Sequence, residues 1–306
     1  MIIRTCFIFS LVMCLCSCSG FFVNEVELTE DQFASQVSVV ARLINTDFDN
    51  DELLVAFDGS ISSRSTILIS RTASILGEAE FELVDNAEVE LTDGQGNRCT
   101  FTYDEQAGLY ATEKPFITSA EQTFTLEVEV PGMDIMTAQV DMPAPANFEI
   151  VEFEQNNINI DNDFLDRLEF RLSGIEETSF FELRAHYEEV DRNDNALTIV
   201  RETEVFSFDS SFSETAQMFS VEPSENGRTF EFWADQPNFR SPELVKVIFS
   251  LWTLSEEEYN FATSLVNNQN SGTNPFVEPT ILFDNIENGV GAFTLSNIQT
   301  VEFELE

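Results

Sequence analysis

The sequence predicts a mainly β protein: an N-terminal Ig-like/transthyretin-like β-sandwich, followed by a second β-rich domain that carries one short α-helix. Three observations carry that expectation. Alternating apolar runs recur every ten residues or so from Gln36 onward, and turns rich in Asp, Asn and Gly divide them. A proline-rich break at Met142-Pro143-Ala144-Pro145 interrupts the series. The expected divisions are a signal peptide at 1–17, a lipidated tether at 18–35, the first sandwich at 36–142, and the second domain at 143–306 with a helix near 255–268.

The chain opens on an export signal. Arg4 precedes the apolar run Cys6-Phe7-Ile8-Phe9-Ser10-Leu11-Val12-Met13, which is well short of the ~20 residues a spanning helix needs. Leu15-Cys16-Ser17-Cys18 then resembles the bacterial lipobox, so cleavage after Ser17 would leave Cys18 as a lipidated first residue. Only a thiol forms the diacylglyceryl thioether, and each buried acyl methylene adds ~0.8 kcal/mol of membrane affinity. The competing reading is an ordinary secretory signal with its cysteines as apolar filler. Of five cysteines, four (Cys6, Cys14, Cys16, Cys18) lie in this segment, and Cys99 alone remains in the body. A disulfide framework or a cysteine-rich metal site within the mature monomer is thereby excluded. Cys99 alternates with Phe101 and Tyr103, which predicts a thiol on the apolar face of a strand.

Composition bounds the partners. The chain is 43% hydrophobic with 30 Phe, enough for sizeable cores, yet holds 56 acidic against 14 basic residues, a net charge of −42. Nucleic acid is an improbable partner for such a surface, because binding rests on neutralising phosphates with Lys and Arg. Lys114 and Lys246 are the only lysines. An acid-rich, lysine-poor surface resembles adaptation to high salt, where screening makes self-repulsion tolerable; a generic acidic exported protein is the alternative.

The strands follow in order. Val37, Val39 and Ala41 share a face, as do Ile67 and Ile69. Ala87-Glu88-Val89-Glu90-Leu91 leads to the turn Asp93-Gly94-Gln95-Gly96-Asn97, whose two glycines are expected to supply positive φ, and then to Cys99–Tyr103. Gly108-Leu109-Tyr110 and Phe124–Val130 follow. Beyond the proline break the inward sets are Leu168, Phe170 and Leu172; Phe181, Leu183, Ala185 and Tyr187; and Val245, Val247, Phe249 and Leu251. Ser255 and Glu258 form a capping-box pattern, with Tyr259, Ala262 and Val266 on one side of the helix, which should fray near Asn267-Asn268-Gln269-Asn270.

Catalytic chemistry finds little support. His186 is the sole histidine and falls on the outer face of its strand with Glu182, Arg184 and Glu188, so it is expected to be exposed. There is no Gly-x-Ser-x-Gly elbow, dinucleotide fingerprint or P-loop pattern. Paired carboxylates cannot be singled out among 56, which leaves a glycosidase formally open. Asp47, Asp49, Asp51 and Asp58, and likewise Asp191, Asn193, Asn195 and Glu202, imitate the spacing of a calcium loop. Glu52 and Ala196 stand where the sixth-position Gly is required, so both stretches read as Asx-rich turns. No catalytic residue, cofactor or metal is expected; Cys18 is the one site residue.

The C-terminal stretch Asn274-Pro275-Phe276-Val277-Glu278-Pro279, followed by Asp284-Asn285-Ile286-Glu287-Asn288-Gly289-Val290-Gly291-Ala292-Phe293, is distinctive. It resembles the closing motif of a Bacteroidota lipoprotein family known as domain of unknown function 4249. Ala87–Leu91, Asp93-Gly94, Gly108-Leu109-Tyr110, Pro143-Ala144-Pro145 and Tyr259 match the family's order of parts. Asn288 departs from the glycine more common there. Gly289 and Gly291 are expected to permit a tight bend while Phe276 and Phe293 pack inward, a structural role. The resemblance implies an outer-membrane lipoprotein accessory to a TonB-dependent receptor, since such members are commonly encoded beside one. The periplasmic or surface face stays open. A surface adhesion or structural lipoprotein is the alternative, and a carbohydrate-active enzyme a more distant one.

Overall fold

The computed structural model describes residues 36–46, 65–71, 82–112, 122–160, 163–190, 198–207, 218–236, 243–272 and 281–305. Cys18, both calcium-like loops except Glu202, and the Asn274–Pro279 stretch lie outside them.

The first half builds one sandwich-like core. β1 (Val37–Thr46) pairs antiparallel with β2 (Thr66–Arg71), and β2 with β3 (Glu82–Leu83) and β6 (Leu109–Ala111). β4 (Glu88–Asp93), β7 (Thr123–Glu129) and β8 (Met136–Asp141) form the facing layer. β5 (Arg98–Asp104) joins the two: its first residues pair with β4, while Thr102–Asp104 pair with β6. Alternation puts Val37, Val39, Ala41, Ile67, Ile69, Val89, Leu91, Phe124 and Leu126 into one core, with half-buried Cys99 and Tyr103 packed against it. The Gly-x-Tyr motif has a physical reason here. Gly108 takes φ 69°, and fully buried Tyr110 donates its hydroxyl to the Val84 carbonyl (2.9 Å) while accepting from the Ala87 N–H (2.8 Å). In the Asp93 turn only Gly96 takes positive φ (84°), and the Asp93 carboxylate caps the turn by accepting from the Gln95 and Asn97 N–H groups. Gly94 is therefore not needed for positive φ.

The second core lies between two more layers. β9 (Asn147–Ile160), β10 (Asp163–Ser173), β15 (Thr229–Asp235) and β13 (Val205–Phe206) form a four-stranded sheet in the order β13-β15-β10-β9. Against it lie β11 (Ser179–Val190), β16 (Glu243–Leu254) and β17 (Val290–Glu304), flanked by β12 (Thr198–Thr203) and β14 (Met218–Val221). Phenylalanine dominates the space between: Phe170 stacks on Phe230 and Phe232, and Phe153 on Phe303 at 4.2 Å. The inward sets follow the sequence pattern except in β16. A register shift between Glu188 and Glu189 turns Leu244, in place of Val245, toward this core.

The two cores meet at the proline break, with Met142 in the first and Ala146 in the second. The sheet is nonetheless continuous across them. β17 pairs parallel with β1 over Val290–Ile298 and antiparallel with β16 over Ser296–Glu304, so Phe293 and Leu295 enter the first core while Val301 and Phe303 enter the second. Asn297 Oδ1 accepts from Asn45 Nδ2 (2.6 Å), its parallel-register partner, and its own Nδ2 donates to the Pro143 carbonyl.

The closing motif is the clamp that makes this pairing possible. Gly291 sits at φ 125°, and a Cβ there would lie 2.0 Å from the Val39 carbonyl oxygen. Asn288 adopts φ 62°, the left-handed region that glycine or asparagine occupies most readily, and donates to the Ile135 carbonyl. Asp284 Oδ1 accepts from the Ile286 and Gly291 N–H groups, and the Asn285 amide exchanges two hydrogen bonds with the Phe293 backbone. Phe293 is fully buried, as its motif requires.

The helix α1 (Glu256–Gly272) follows β16 directly and runs past the asparagines to Gly272. Its capping box is half formed. Ser255 Oγ accepts from the Glu258 N–H (3.2 Å), but the Ser255 N–H donates to the Leu295 carbonyl and the Glu258 carboxylate turns elsewhere. Tyr259 stacks on Phe180 with ring centroids 4.5 Å apart.

Gly291→Ala should cost on the order of 4 kcal/mol, because its Cβ meets backbone that cannot turn away. Asn288→Gly, which relieves a left-handed residue at the loss of one exposed hydrogen bond, should stay within about 1 kcal/mol of wild type. Denaturant midpoints of the two variants check both; equal effects would refute the clamp.

Candidate functional site

Among the described residues, and apart from the surface ion pairs, three places concentrate polar chemistry. The first is a buried layer on the outer face of the long sheet beneath α1. Glu182, Arg184 and His186 alternate on β11 with the core residues Phe181, Leu183 and Ala185, so they share the opposite face as the period of two requires. That face is not exposed. Glu182 and Arg184 are buried, and His186 is only 6% exposed, which corrects the expectation of a solvent-facing histidine. Over Glu182 and Arg184, α1 and the outward residues of neighbouring strands form a further layer, in which Ile44, Trp252, Leu254 and Ile298 pack as a third apolar cluster.

Arg184 holds Glu182 through two hydrogen bonds (2.8 and 3.0 Å). Glu182 also lies 3.8 Å from Arg42 on β1, and Arg42 is ion-paired with Glu258 in the first turn of α1. Positive and negative groups thus alternate along Arg184, Glu182, Arg42 and Glu258, linking β11, β1 and the helix. Trp252 lies under both guanidinium groups, 4.3 Å from Arg184 and 5.4 Å from Arg42. Burial is the largest single influence and works against the Arg184 charge, but the charge and hydrogen bonds of Glu182, with Glu202 and Glu258, together outweigh it, so its pKa is raised. For His186, burial and the nearby Arg184 charge act together and pull the imidazole down to about 4. This is the chemistry of a strut: charges paired internally, at a place where an unpaired one would be costly.

The second place is the end of the second core. Asp166, wholly buried beside a register shift in β10, accepts from the Tyr187 hydroxyl (2.6 Å) and from the Gln236 amide (2.8 Å). Burial and the facing carboxylate push the Tyr187 phenol up, so it stays protonated and donating.

The third is a hollow of about 500 Å³ on the first sandwich, lined by Glu88, Glu90, Thr102, Tyr103, Glu127 and Ile135 among others. Glu88 lies directly across from Glu129, and Glu90 from Glu127. Like charges in opposed positions cost stability, relieved at Glu90 by Arg98 at 2.9 Å. Among the described residues no group of three or more His, Cys, Asp or Glu is arranged to hold a metal ion.

Sequence reasoning found the outer-face set on β11 and missed its burial. One signal was available. Val247-Ile248-Phe249-Ser250-Leu251-Trp252-Thr253-Leu254 is nearly continuous in apolar character, which marks a strand covered on both faces. The partnership of Arg42 with Glu258, and the opposition of Glu88 to Glu129, depend on pairings far apart in sequence and left no local trace.

Two measurements test this layer. Glu182→Ala leaves the buried Arg184 guanidinium without its hydrogen-bonded partner, and removes one of two carboxylates from half-buried Arg42, so it should cost about 3 kcal/mol in chemical denaturation; a loss below about 1 kcal/mol would refute the strut. The second concerns His186. The unfolded chain takes up the proton near pH 6.5, the folded one only near 4, so between these values the unfolded state binds more protons. The stability due to neutral His186 is therefore complete above about pH 6.5 and lost as pH falls toward 4, by about 3 kcal/mol in all. His186→Gln should flatten the stability profile in that window, and parallel profiles for variant and wild type would contradict the assignment.

Comparison with curated proteins finds no match. A family model described as a domain of unknown function, DUF4249, matches residues 42–302, from Arg42 in β1 into the last residues of β17. Most of the chain is thus covered, including both cores, the helix and the closing clamp, and the protein belongs to the DUF4249 family.

Proposed function

We propose that the protein is an outer-membrane lipoprotein, anchored through Cys18, that serves as a binding or accessory subunit of a TonB-dependent uptake system. The observation that carries this reading is how the buried ionisable groups are used. Arg42 with Glu182, Arg42 with Glu258, and Asp166 with Tyr187 each tie strand to strand or strand to helix. Such internal ties stiffen a body whose outward surface is free for recognition. The lipobox-like Leu15-Cys16-Ser17-Cys18 supports the anchor. Eighteen residues separate Cys18 from Val37, so the folded body would stay within roughly 60 Å of the bilayer at full extension. β1, where the tether enters, lies between β17 and β2 in the interior of the sheet, so a pull on the tether is shared by both cores. Membership of the family, together with the resemblance of its order of parts, supports the receptor partnership.

The test is recovery from native membranes. Tagged full-length protein, crosslinked in intact cells before gentle solubilisation, should bring down a TonB-dependent barrel near one-to-one, identified by mass spectrometry. Cys18→Ala should move the protein to the soluble fraction. A lipoprotein recovered alone despite crosslinking would refute the subunit role, and membrane association unchanged by Cys18→Ala would refute the anchor.

A further inference from the structure

A tether anchored at Cys18 delivers any load between bilayer and body to one place, Val37 at the start of β1. The way β1 is held there is unlike the rest of the described sheets. Its pairing with β17 is parallel, from Ser38 opposite Val290 to Thr46 opposite Ile298, whereas every other described strand pair is antiparallel. Both strands lie inside the long sheet, in the order β16-β17-β1-β2, so neither is an edge. A parallel pair is slightly less stable per residue and needs a long connection. The fold accepts that cost at the pair that joins its first described strand to its last.

Direction is what the parallel arrangement changes. β1 enters at Val37, level with the start of β17 at Val290, and β17 leaves at the opposite end, at Glu304. A pull outward on Val37 against one on Glu304 therefore runs along the strands, in opposite senses on the two. Every hydrogen bond of the ladder is loaded at once, and none opens without its neighbours. Were β1 antiparallel to β17, the same pull would peel the pair apart one bond after another. Side chains add ties along β1. Thr294 Oγ1 donates to the Ala41 carbonyl (3.5 Å) and the Asn45 amide to Asn297 (2.6 Å) on the β17 side. Toward β2, Ser65 Oγ accepts from the Ile44 N–H (3.1 Å) and donates to the Ile44 carbonyl (3.3 Å). Arg42 is held by Glu182 and Glu258, and sliding β1 would drag buried Val37, Val39, Ala41 and Leu43 through the first core.

We propose that the β1–β17 pair is a mechanical clamp, which carries a pull on the membrane tether as shear and keeps the body folded under it. The inference rests on the anchor at Cys18 in the reading above and adds that the anchor bears load, whatever object the body holds.

Single-molecule force spectroscopy on the full-length protein tests this, with one handle always at Asn24 in the tether. In the shear arrangement the second handle is at exposed Glu304, at the far end of β17. In the peeling arrangement it is at Ile281, 90% exposed, from which the chain runs into the near end of β17. Both arrangements load the same strand pair of the same fold and differ in direction alone. Forced unfolding is set by the unfolding rate, so at one pulling speed the modal unfolding force should be at least about twofold higher in shear than in peeling. The first rupture in shear should release β1 and β17 together. Equal forces in the two arrangements, or a lower force in shear, would overturn the clamp, and so would a first rupture that frees β17 while β1 stays folded. Membrane association unchanged by Cys18→Ala would remove the anchor, and with it the load; that failure is distinguishable because the forces are measured without a membrane.

Discussion

The parallel pairing of β1 with β17 is the constraint on which the rest of the structure depends. It joins the first described strand to the last, with Val39 opposite Gly291 and Asn45 opposite Asn297. Parallel neighbours require a long connection; here the connection is nearly the whole protein. Without it the two sandwiches would share only the proline break between Met142 and Ala146. With it, one strand supplies Phe293 and Leu295 to the first core and Val301 and Phe303 to the second. The closing motif exists to allow this approach. Gly291 keeps its α-carbon bare where the Val39 carbonyl comes closest, and the Asp284 and Asn285 side chains satisfy backbone groups that the bend takes out of the ladder.

The same pairing explains why charges are buried beneath the helix. Bringing β1 into the sheet places Arg42 within reach of Glu182 on β11, two strands beyond β17, once the helix covers that face. A guanidinium so placed needs more than one acceptor, and Glu258 supplies the second from the helix. The helix is correspondingly held by specific contacts more than by a broad apolar stripe. Glu258 and Ser255 are its most buried residues near the start, Tyr259 stacks on Phe180, and its later turns are half-exposed or exposed where side chains are described.

What was legible in the sequence was local. Alternation at Val37, Val39 and Ala41, at Leu168, Phe170 and Leu172, and at Phe181 through Tyr187 identified the inward faces, because the period of a strand is a property of the backbone alone. Gly-x-Tyr and the Asp-Gly turn were legible as motifs, though the reason for Tyr110, a hydroxyl bridging two backbone groups, needed the fold. Illegible were the quantities set by pairing. The shift that substitutes Leu244 for Val245 comes from a mismatch between β11 and β16, and the burial of Glu182 and Arg184 comes from a layer contributed by the helix and neighbouring strands. The Asn288 departure was harmless for a reason the sequence could suggest but not establish: the position has φ 62°, which asparagine tolerates nearly as well as glycine.

The choice of arginine over lysine also follows from how the strands are arranged. With 56 acidic and 14 basic residues, each cation has four carboxylates to serve. On the outer face of the four-stranded sheet, Arg167 does so literally: its guanidinium reaches Glu152, Glu154, Glu169 and Glu231, from three adjacent strands, at 2.6 to 3.3 Å. Hydrogen bonding to Glu231 leads the effects that raise its pKa, so the charge is never in question. An ammonium is a compact point charge with three donors, whereas the planar fork offers five donors spread over a wider span. Lys246, one of two lysines in the chain, accordingly serves a single hydrogen-bonded partner, Glu302, across one strand pair. Where strand alternation lines up carboxylates on a shared face, a guanidinium can hydrogen-bond several of them at once, as Arg167 does, whereas Lys246 hydrogen-bonds one and attracts Glu188 and Glu304 through charge alone. An acidic β surface of this kind therefore favours arginine on geometric grounds, before any appeal to the salt in which the protein works.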